Sequence, residues 1–232
     1  MKFNAVFFDL HGTLAYKKSE VSDAEACELL GARGLEVYPQ AYKAVWQYVM
    51  YIDYPKYGYS NWQEYCDQVL RRFQLPSRST IEYDMASKEL ADLFERKEEW
   101  APYPEVEESM KRVKEVGLKT AIVSTIPQFR YKKYLRNILG MIDLPLDGYS
   151  FHREKSDPRM YSDALKKLDV RADQAVMVGN EYELDVLEPK MLGLESILMN
   201  RDRLKISSKE YPKANLVAED LSEAVKMILK MK

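Results

Sequence analysis

The sequence predicts an α/β fold, a Rossmann-like parallel sheet flanked by helices, with an α-helical domain inserted near its start. Three observations carry this. Short, continuously apolar runs recur at Phe3 to Asp9, Lys119 to Ser124, Ala175 to Gly179 and Glu195 to Met199, the pattern of strands buried on both faces. Amphipathic helical patterns lie between the later runs, which requires parallel strands with crossover helices. The stretch from about residue 17 to 100 has helical periodicity and no convincing strand, so it cannot belong to the same alternation.

In chain order, the first run ends on Asp9 and passes at once into a Gly12-Thr13 turn. A helix is expected over Ser22 to Ala32, and Tyr42, Val45, Trp46 and Val49 mark the next. Trp62, Tyr65, Cys66, Val69, Leu70 and Phe73 fall on one helical face behind a Ser60-x-x-Gln63 capping box. Tyr54, Tyr57 and Tyr59 sit before it without helical spacing and read as a loop that either shapes a pocket or packs between helices. Ala86, Leu90, Leu93 and Phe94 mark a further helix, and the proline-bearing Glu99 to Pro104 is the expected connection back to the sheet. These helices read as a lid over residues 17–99, with the core formed by residues 1–16 and 100–232.

Beyond that connection, Val106, Met110, Val113 and Val116 form an apolar stripe closed by Gly117, and Met160, Ala164, Leu165 and Leu168 form another. One helix is expected from Glu183 to Leu192 before Gly193, and a last one over Leu221 to Leu229. In a sheet of this kind ligands sit outside the carboxyl ends of the strands.

Composition narrows the classes of function. The 232 residues are 46% apolar and 31% charged with a net charge of −2, so no basic face for nucleic acid or an anionic membrane is expected. The partner implied is a small molecule. Cys27 and Cys66 lack metal-ligand spacing and read as reduced, packed thiols. The apolar stretch before Asp9 is about six residues, too short for a signal-peptide core, and nothing approaches the roughly 18 residues of a membrane span. The expected location is the cytoplasm.

Four features fall on strand ends or the loops after them. Asp9 is a carboxylate at a strand terminus, able to act as a nucleophile when cations hold its charge, or simply to cap the turn. Ser124 and Thr125 end the second run, where a hydroxyl and free backbone N–H groups bind a phosphoryl or carboxylate oxygen. Lys155 stands three residues before Pro158, which starts a helix, and can offset a carboxylate and an anionic substrate together. Gly179 and Asn180 open a polar, acidic loop in which Glu181, Glu183 and Asp185 offer oxygen ligands to Mg²⁺, although an acidic helix start is also favoured by the helix dipole.

Asp9-x-His11-Gly12-Thr13, Ser124, Lys155 with Asp157-Pro158, and Gly179-Asn180-x4-Asp185 together resemble the four motifs of the haloacid dehalogenase superfamily of hydrolases. The resemblance spans essentially the whole chain, including a helical cap inserted between the first and second motifs. It implies that Asp9 is a nucleophile forming a covalent aspartyl intermediate and that Lys155 offsets its charge. It also implies that Ser124 and Lys155 bind the transferring group, with Thr125, Gly12 and Thr13 as further substrate-binding positions. Asp9, the carbonyl of His11, Asn180 and Asp185 would hold Mg²⁺.

Two positions depart from the phosphatase pattern of that superfamily. His11 stands where a second aspartate acts as general acid and base, and Asn180 stands where an aspartate follows the glycine. Histidine can donate and recover a proton, so His11 can replace the missing acid; Asn180 still offers a carbonyl oxygen, but a neutral one. An Mg²⁺-dependent phosphatase acting on a small phosphate monoester is the first expectation. The alternative is a metal-independent 2-haloacid dehalogenase, which needs neither acid because halide leaves without a proton. That branch grips the substrate carboxylate with a cap arginine, for which Arg33, Arg71 and Arg72 are available. A non-catalytic binding module is the third reading. His152, the only other histidine, reads as structural or solvent-facing.

Overall fold

Strand β1 (Ala5–Phe8) is buried at every residue, because both faces of the sheet are covered. Val6 and Phe8 enter one apolar cluster while Ala5 and Phe7 enter another, as the period of two requires. A computed structural model describes residues 2–73, 80–204, 211–214 and 216–231, with the side chains of 80–82 excepted.

The chain leaves β1 through β2 (Ala15–Ser19) and re-enters the core through β3 (Glu99–Pro102), and these two strands pair antiparallel as a ribbon. Strands β4 (Lys119–Val123) and β6 (Ala175–Gly179) flank β1 on either side, both parallel to it. Strands β5 (Leu144–Leu146), β7 (Glu195–Met199) and β8 (Val217–Ala218) complete a six-stranded parallel sheet in the order β5-β4-β1-β6-β7-β8. From β1 the chain moves outward to β4 and β5, then returns to build the other half, so the order reverses beside β1. That crevice is where a doubly wound sheet binds its ligand.

Counting α-helices along the chain, α6 (Val106–Glu115), the short α7 (Gln128–Tyr131) and α8 (Arg136–Leu139), and α12 (Leu221–Lys230) pack on one face, and α10 (Arg159–Leu168) covers the other. A separate apolar cluster joins α1 (Asp23–Ala32), α2 (Pro39–Tyr48), α4 (Trp62–Arg72) and α5 (Thr80–Lys97). Tyr42, Trp62 and Tyr65 are buried within it, as their helical spacing predicts. Cys66 is buried and Cys27 half-buried, and both are free thiols. No described helix is long and apolar enough to cross a membrane.

Several local expectations are corrected. The ribbon strand Ala15–Ser19 lies partly where no strand was expected, because its Tyr-Lys-Lys-Ser sequence carries no apolar run and only its alternating burial reveals it. β5 and β8 are too short to leave a signal, and β5 contains Pro145, which an edge strand tolerates. The cap of α4 is Asn61, whose side chain accepts from Glu64 N at 2.9 Å, rather than Ser60 with Gln63. Tyr54 to Tyr57 form a short helix, α3, after a π-helical turn over Val49–Asp53, instead of a loop. The helix expected over Glu183 to Leu192 is split into a π-helical turn, Tyr182–Leu187, and a short helix, α11 (Glu188–Met191). Pro189 at the junction has no N–H to continue the ladder.

Candidate active site

The carboxyl ends of β4, β1 and β6 bring the sequence-selected residues to one edge. Asp9 follows β1 directly, and its N–H donates to Val178 O at 2.9 Å, extending the pairing by one residue. The chain then turns: Gly12 has φ +84°, and a Cβ there would stand 2.7 Å from the Asn180 amide. Only glycine allows so close an approach in that conformation. Gly12 N donates to Ala15 O at 2.8 Å, closing the turn.

Lys155 reaches the same edge from the loop before α10. Its ammonium lies 2.6 Å from Asp9 Oδ1 and 2.7 Å from Asp185 Oδ1. The three residues are 6% exposed or less, so the charges face one another with little water between them. Burial opposes the Lys155 ammonium, but the carboxylates of Asp185 and Asp9 outweigh it and hold it well above its usual range. Burial pushes the Asp185 carboxyl up, Lys155 opposes this, and Asp9 adds to it. The Glu181 N–H donates to Asp185 Oδ2 at 2.9 Å, so Asp185 is fixed from both sides. Two carboxyl groups thus share one ammonium.

Ser124, the residue after β4, is 2% exposed, and its Oγ accepts from Ile126 N at 3.2 Å. Thr125 is half-buried beside it, and Thr13 is fully buried in the turn after Asp9. The inward atom of the Asn180 amide lies 3.1 Å from Asp9 Oδ2, 2.9 Å from the His11 carbonyl and 3.2 Å from Thr13 Oγ1. With nitrogen inward the amide donates to these acceptors; with oxygen inward it only accepts from the Thr13 hydroxyl, at 3.2 Å. The nitrogen-inward arrangement is therefore preferred when no cation is present.

His11 is exposed as a residue, yet partial burial, then Lys17 and Arg130, depress its imidazolium, with Asp9 and Glu20 opposing. Its ring meets Trp100 edge-on, centroids 5.5 Å apart. His152 takes a left-handed conformation, φ 55°, after α9 (Gly148–Phe151) and leans on Tyr149, away from this contact network.

Among the described residues no three His, Cys, Asp or Glu side chains group as a metal site. Asp185 is held by Lys155, so the donors that converge without a lysine between them are Asp9 Oδ2, the His11 carbonyl and the Asn180 amide. An octahedral Mg²⁺ with oxygens at about 2.0–2.1 Å spaces adjacent ligands about 2.9 Å apart. The 2.9 and 3.1 Å separations around Asn180 match that spacing. These residues fit Mg²⁺ with Asn180 presenting its oxygen.

Three neighbouring features carried no sequence signal. Arg201, just beyond β7, donates to Gly12 O at 3.1 Å, Thr13 O at 2.6 Å and Glu105 Oε1 at 2.7 Å, with its guanidinium 3.5 Å from the centre of the Tyr103 ring. Arg130, in the helical turn after Ser124, forms a buried two-pronged pair with Glu98 at 2.9 and 2.7 Å. The same guanidinium lies over Trp46 and Trp62 of the helical cluster. Tyr54 of α3 donates to the buried Asp147 beyond β5. Each is a polar residue whose partner lies far away in sequence, so no local pattern marks it.

Two clefts border the edge. One of about 420 Å³ is lined by Gly12, Asn180, Glu181 and Arg201, and one of about 710 Å³ runs between Tyr51 to Lys56 and the loop from His152 to Arg159. Neither is lined by Asp9, Ser124 or Lys155, which lie deeper.

A family model described as haloacid dehalogenase-like hydrolase matches residues 3–193. The glyceraldehyde 3-phosphate phosphatase of Pyrococcus furiosus is 26% identical over 245 aligned residues, spanning 98% of this chain and 93% of that protein. Two solved structures share the fold. A HAD phosphatase from Thermococcus onnurineus superposes with a TM-score of 0.63 at 19% identity, covering 97% of this chain and 98% of that one. A 2-haloacid dehalogenase from Pseudomonas syringae pv. Tomato DC3000 superposes with a TM-score of 0.69 at 15% identity, covering 98% and 99%.

Proposed function

Because this chain belongs to the haloacid dehalogenase-like hydrolases, we propose that it hydrolyses a small phosphate monoester through a covalent intermediate on Asp9. The observation that carries this reading is the buried Asp9–Lys155–Asp185 cluster at the switch point of the sheet. The name of the Pyrococcus furiosus relative makes a three-carbon sugar phosphate the first substrate to try.

In this reading a carboxylate oxygen of Asp9 attacks phosphorus, and the bond from phosphorus to the ester oxygen breaks. The leaving alkoxide takes a proton from the His11 imidazolium, the form that burial and Lys17 disfavour, so turnover should rise as pH falls toward the ordinary imidazole range. Water then attacks the same phosphorus, returns a proton to His11, and frees Asp9 and phosphate. Lys155, the Ser124 hydroxyl and Thr125 bind the phosphoryl oxygens, with Gly12 and Thr13 shaping the turn beneath them. Asp9, the His11 carbonyl and Asn180 would hold Mg²⁺, and Asp185 would fix Lys155 rather than the ion. When bound, that ion neutralises charge on the phosphoryl group.

Residues 17–99 act as a lid on a core of 1–16 and 100–232 in this proposal, excluding water during attack and opening for release. A 2-haloacid would need a free cation for its carboxylate. Of the three cap arginines, Arg72 is already paired with Asp53 at 2.6 Å and Arg33 with Glu89, which leaves exposed Arg71 for that role.

The test is phosphate release from alkyl and aryl phosphates, glyceraldehyde 3-phosphate included, with Mg²⁺ and with chelator, using Asp9→Asn as control. Release that requires Asp9 supports the reading. No release from any ester, with halide freed from 2-chloropropionate, would replace it by dehalogenation; neither product would leave a binding role.

A further inference from the structure

Asn180 occupies the point at which Asp9 Oδ2 and the His11 carbonyl converge, and its amide has two ends of opposite polarity. With nitrogen inward, N–H groups face both oxygens at 3.1 and 2.9 Å. The site is then internally satisfied and holds no position for a cation. With oxygen inward, three oxygens face one another, an arrangement that is repulsive unless a positive charge lies between them. The two states differ by a half-turn of the terminal amide, which needs no movement of the backbone.

We propose that the Asn180 amide is a reversible plug: nitrogen inward it substitutes for the divalent cation, and oxygen inward it becomes one of the cation's ligands. The proposal rests on the phosphatase reading for its use, but not for its geometry. Three features of the structure favour it. Gly12 has no Cβ, and one there would stand 2.7 Å from the amide, so the turn leaves the amide the space in which either end can face inward. Asn180 also lines the 420 Å³ cleft, together with Gly12 of the turn after Asp9, so the amide itself is open to the cleft while the Lys155 cluster lies deeper. The cleft is lined as well by Glu181, Glu183 and Asp202, set against Arg201, whose charge is already paired with Glu105, and that balance draws cations toward its mouth.

The consequence is a site whose occupancy follows the free concentration of the cation. Binding must displace two internal hydrogen bonds and gains a neutral ligand in place of a charged one, so affinity is lower than an aspartate at 180 would confer. The same hydrogen bonds keep Asp9 in position when the cation is absent.

The experiment uses the intact chain and Mg²⁺ alone. Calorimetric titration with MgCl₂ is run on the wild type and on Asn180→Asp, and the Asn180 side-chain amide signals are followed by ¹H–¹⁵N spectroscopy, assigned by their loss in Asn180→Asp and Asn180→Ala. The expected result is at least about tenfold tighter binding in Asn180→Asp, from the added ligand charge, and a shift of the Asn180 pair as wild-type protein saturates. Should Asn180→Asp fail to fold, the wild-type signals, assigned through Asn180→Ala, still decide. Amide signals that stay fixed while Mg²⁺ saturates, or no Mg²⁺ binding to the wild type, would overturn the proposal. Phosphate release is not read here: Mg²⁺-driven rotation without any esterase activity would sink the phosphatase reading and leave the plug standing.

Discussion

Lys155 Nζ stands 2.6 Å from Asp9 Oδ1, with both residues almost wholly buried. The same ammonium meets Asp185 at 2.7 Å, so removing it strands two carboxylates in a low-dielectric pocket. Breaking a buried pair by deleting one partner costs about 3–5 kcal/mol. Lys155→Met should lose stability on that scale in urea denaturation and lose turnover as well. Asp9→Asn leaves Lys155 its Asp185 partner and should lose turnover with a much smaller change in midpoint. A Lys155→Met protein as stable as wild type would show that the pair does not hold this edge together.

His11 is assigned proton transfer by its place two residues after Asp9, and leaving-group chemistry tests that assignment. An alkoxide needs a proton as it departs, whereas an aryloxide is a far better leaving group; general acid catalysis is worth about 10²–10⁴-fold. His11→Ala should lose about that factor with alkyl phosphates in single-turnover measurements and much less with aryl phosphates. Equal losses for both classes would instead make His11 a packing partner of Trp100.

Arg201 holds the carbonyls of Gly12 and Thr13 from the far side of the turn that follows Asp9. It touches none of the reacting groups, so it acts by positioning. Arg201→Ala should lower kcat by about tenfold or more, since small misplacements of reacting groups are costly, with little change in KM. Arg201→Lys should recover only part, because an ammonium cannot reproduce the planar fork that engages two carbonyls and Glu105. A variant with unchanged kcat would mean that the turn holds its shape unaided.

Glu98 and Arg130 join the ribbon to the helical turn after Ser124, and Trp100 donates to the same carboxylate at 3.0 Å. Glu98→Ala leaves a guanidinium buried among Trp46 and Trp62, a loss of about 3–5 kcal/mol. The double variant with Arg130→Met should recover much of it, because the unpaired charge is gone. Denaturation of the two single variants and the double variant checks this, and additive losses would contradict it.

The sheet core was legible because β1, β4, β6 and β7 are continuous apolar runs, and the helical cluster because Trp62 to Phe73 repeats at helical spacing. Asp9, Asn180 and Asp185 were legible at strand ends and the loops after them, Lys155 as a lysine before a proline-started helix, and the structure brings all four into one contact network. What escaped has a physical reason in each case. Arg201 and Arg130 look like ordinary surface charges until their partners, 96 and 32 residues away, fold against them. β5 and β8 are three and two residues long, shorter than any periodicity. The division of Asp185 from Asn180 by Lys155 depends on the turn over Tyr182–Leu187, whose π-helical winding no sequence pattern announced.

Asp143 provides a pH test remote from the catalytic edge. Its carboxylate accepts from Thr120 N at 2.8 Å and Thr120 Oγ1 at 3.1 Å and pairs with Lys114 at 2.6 Å. Burial works to raise the Asp143 carboxyl, but Lys114 and the Thr120 donors prevail and hold it below its usual range. A group depressed in the folded state contributes stability above its unfolded value and loses that contribution as pH falls through the folded one. Asp143→Ala also leaves the buried Thr120 N–H without its acceptor, which costs about 1–3 kcal/mol at neutral pH. The part due to charge is screened, because Asp143 is 40% exposed. The gap in stability between wild type and Asp143→Ala should therefore be widest above about pH 5 and narrow as pH falls below the ordinary carboxylate value of about 3.9. Urea denaturation across that range measures it, and a gap that widens toward acid would show that Asp143 is held by its neighbours in the neutral form.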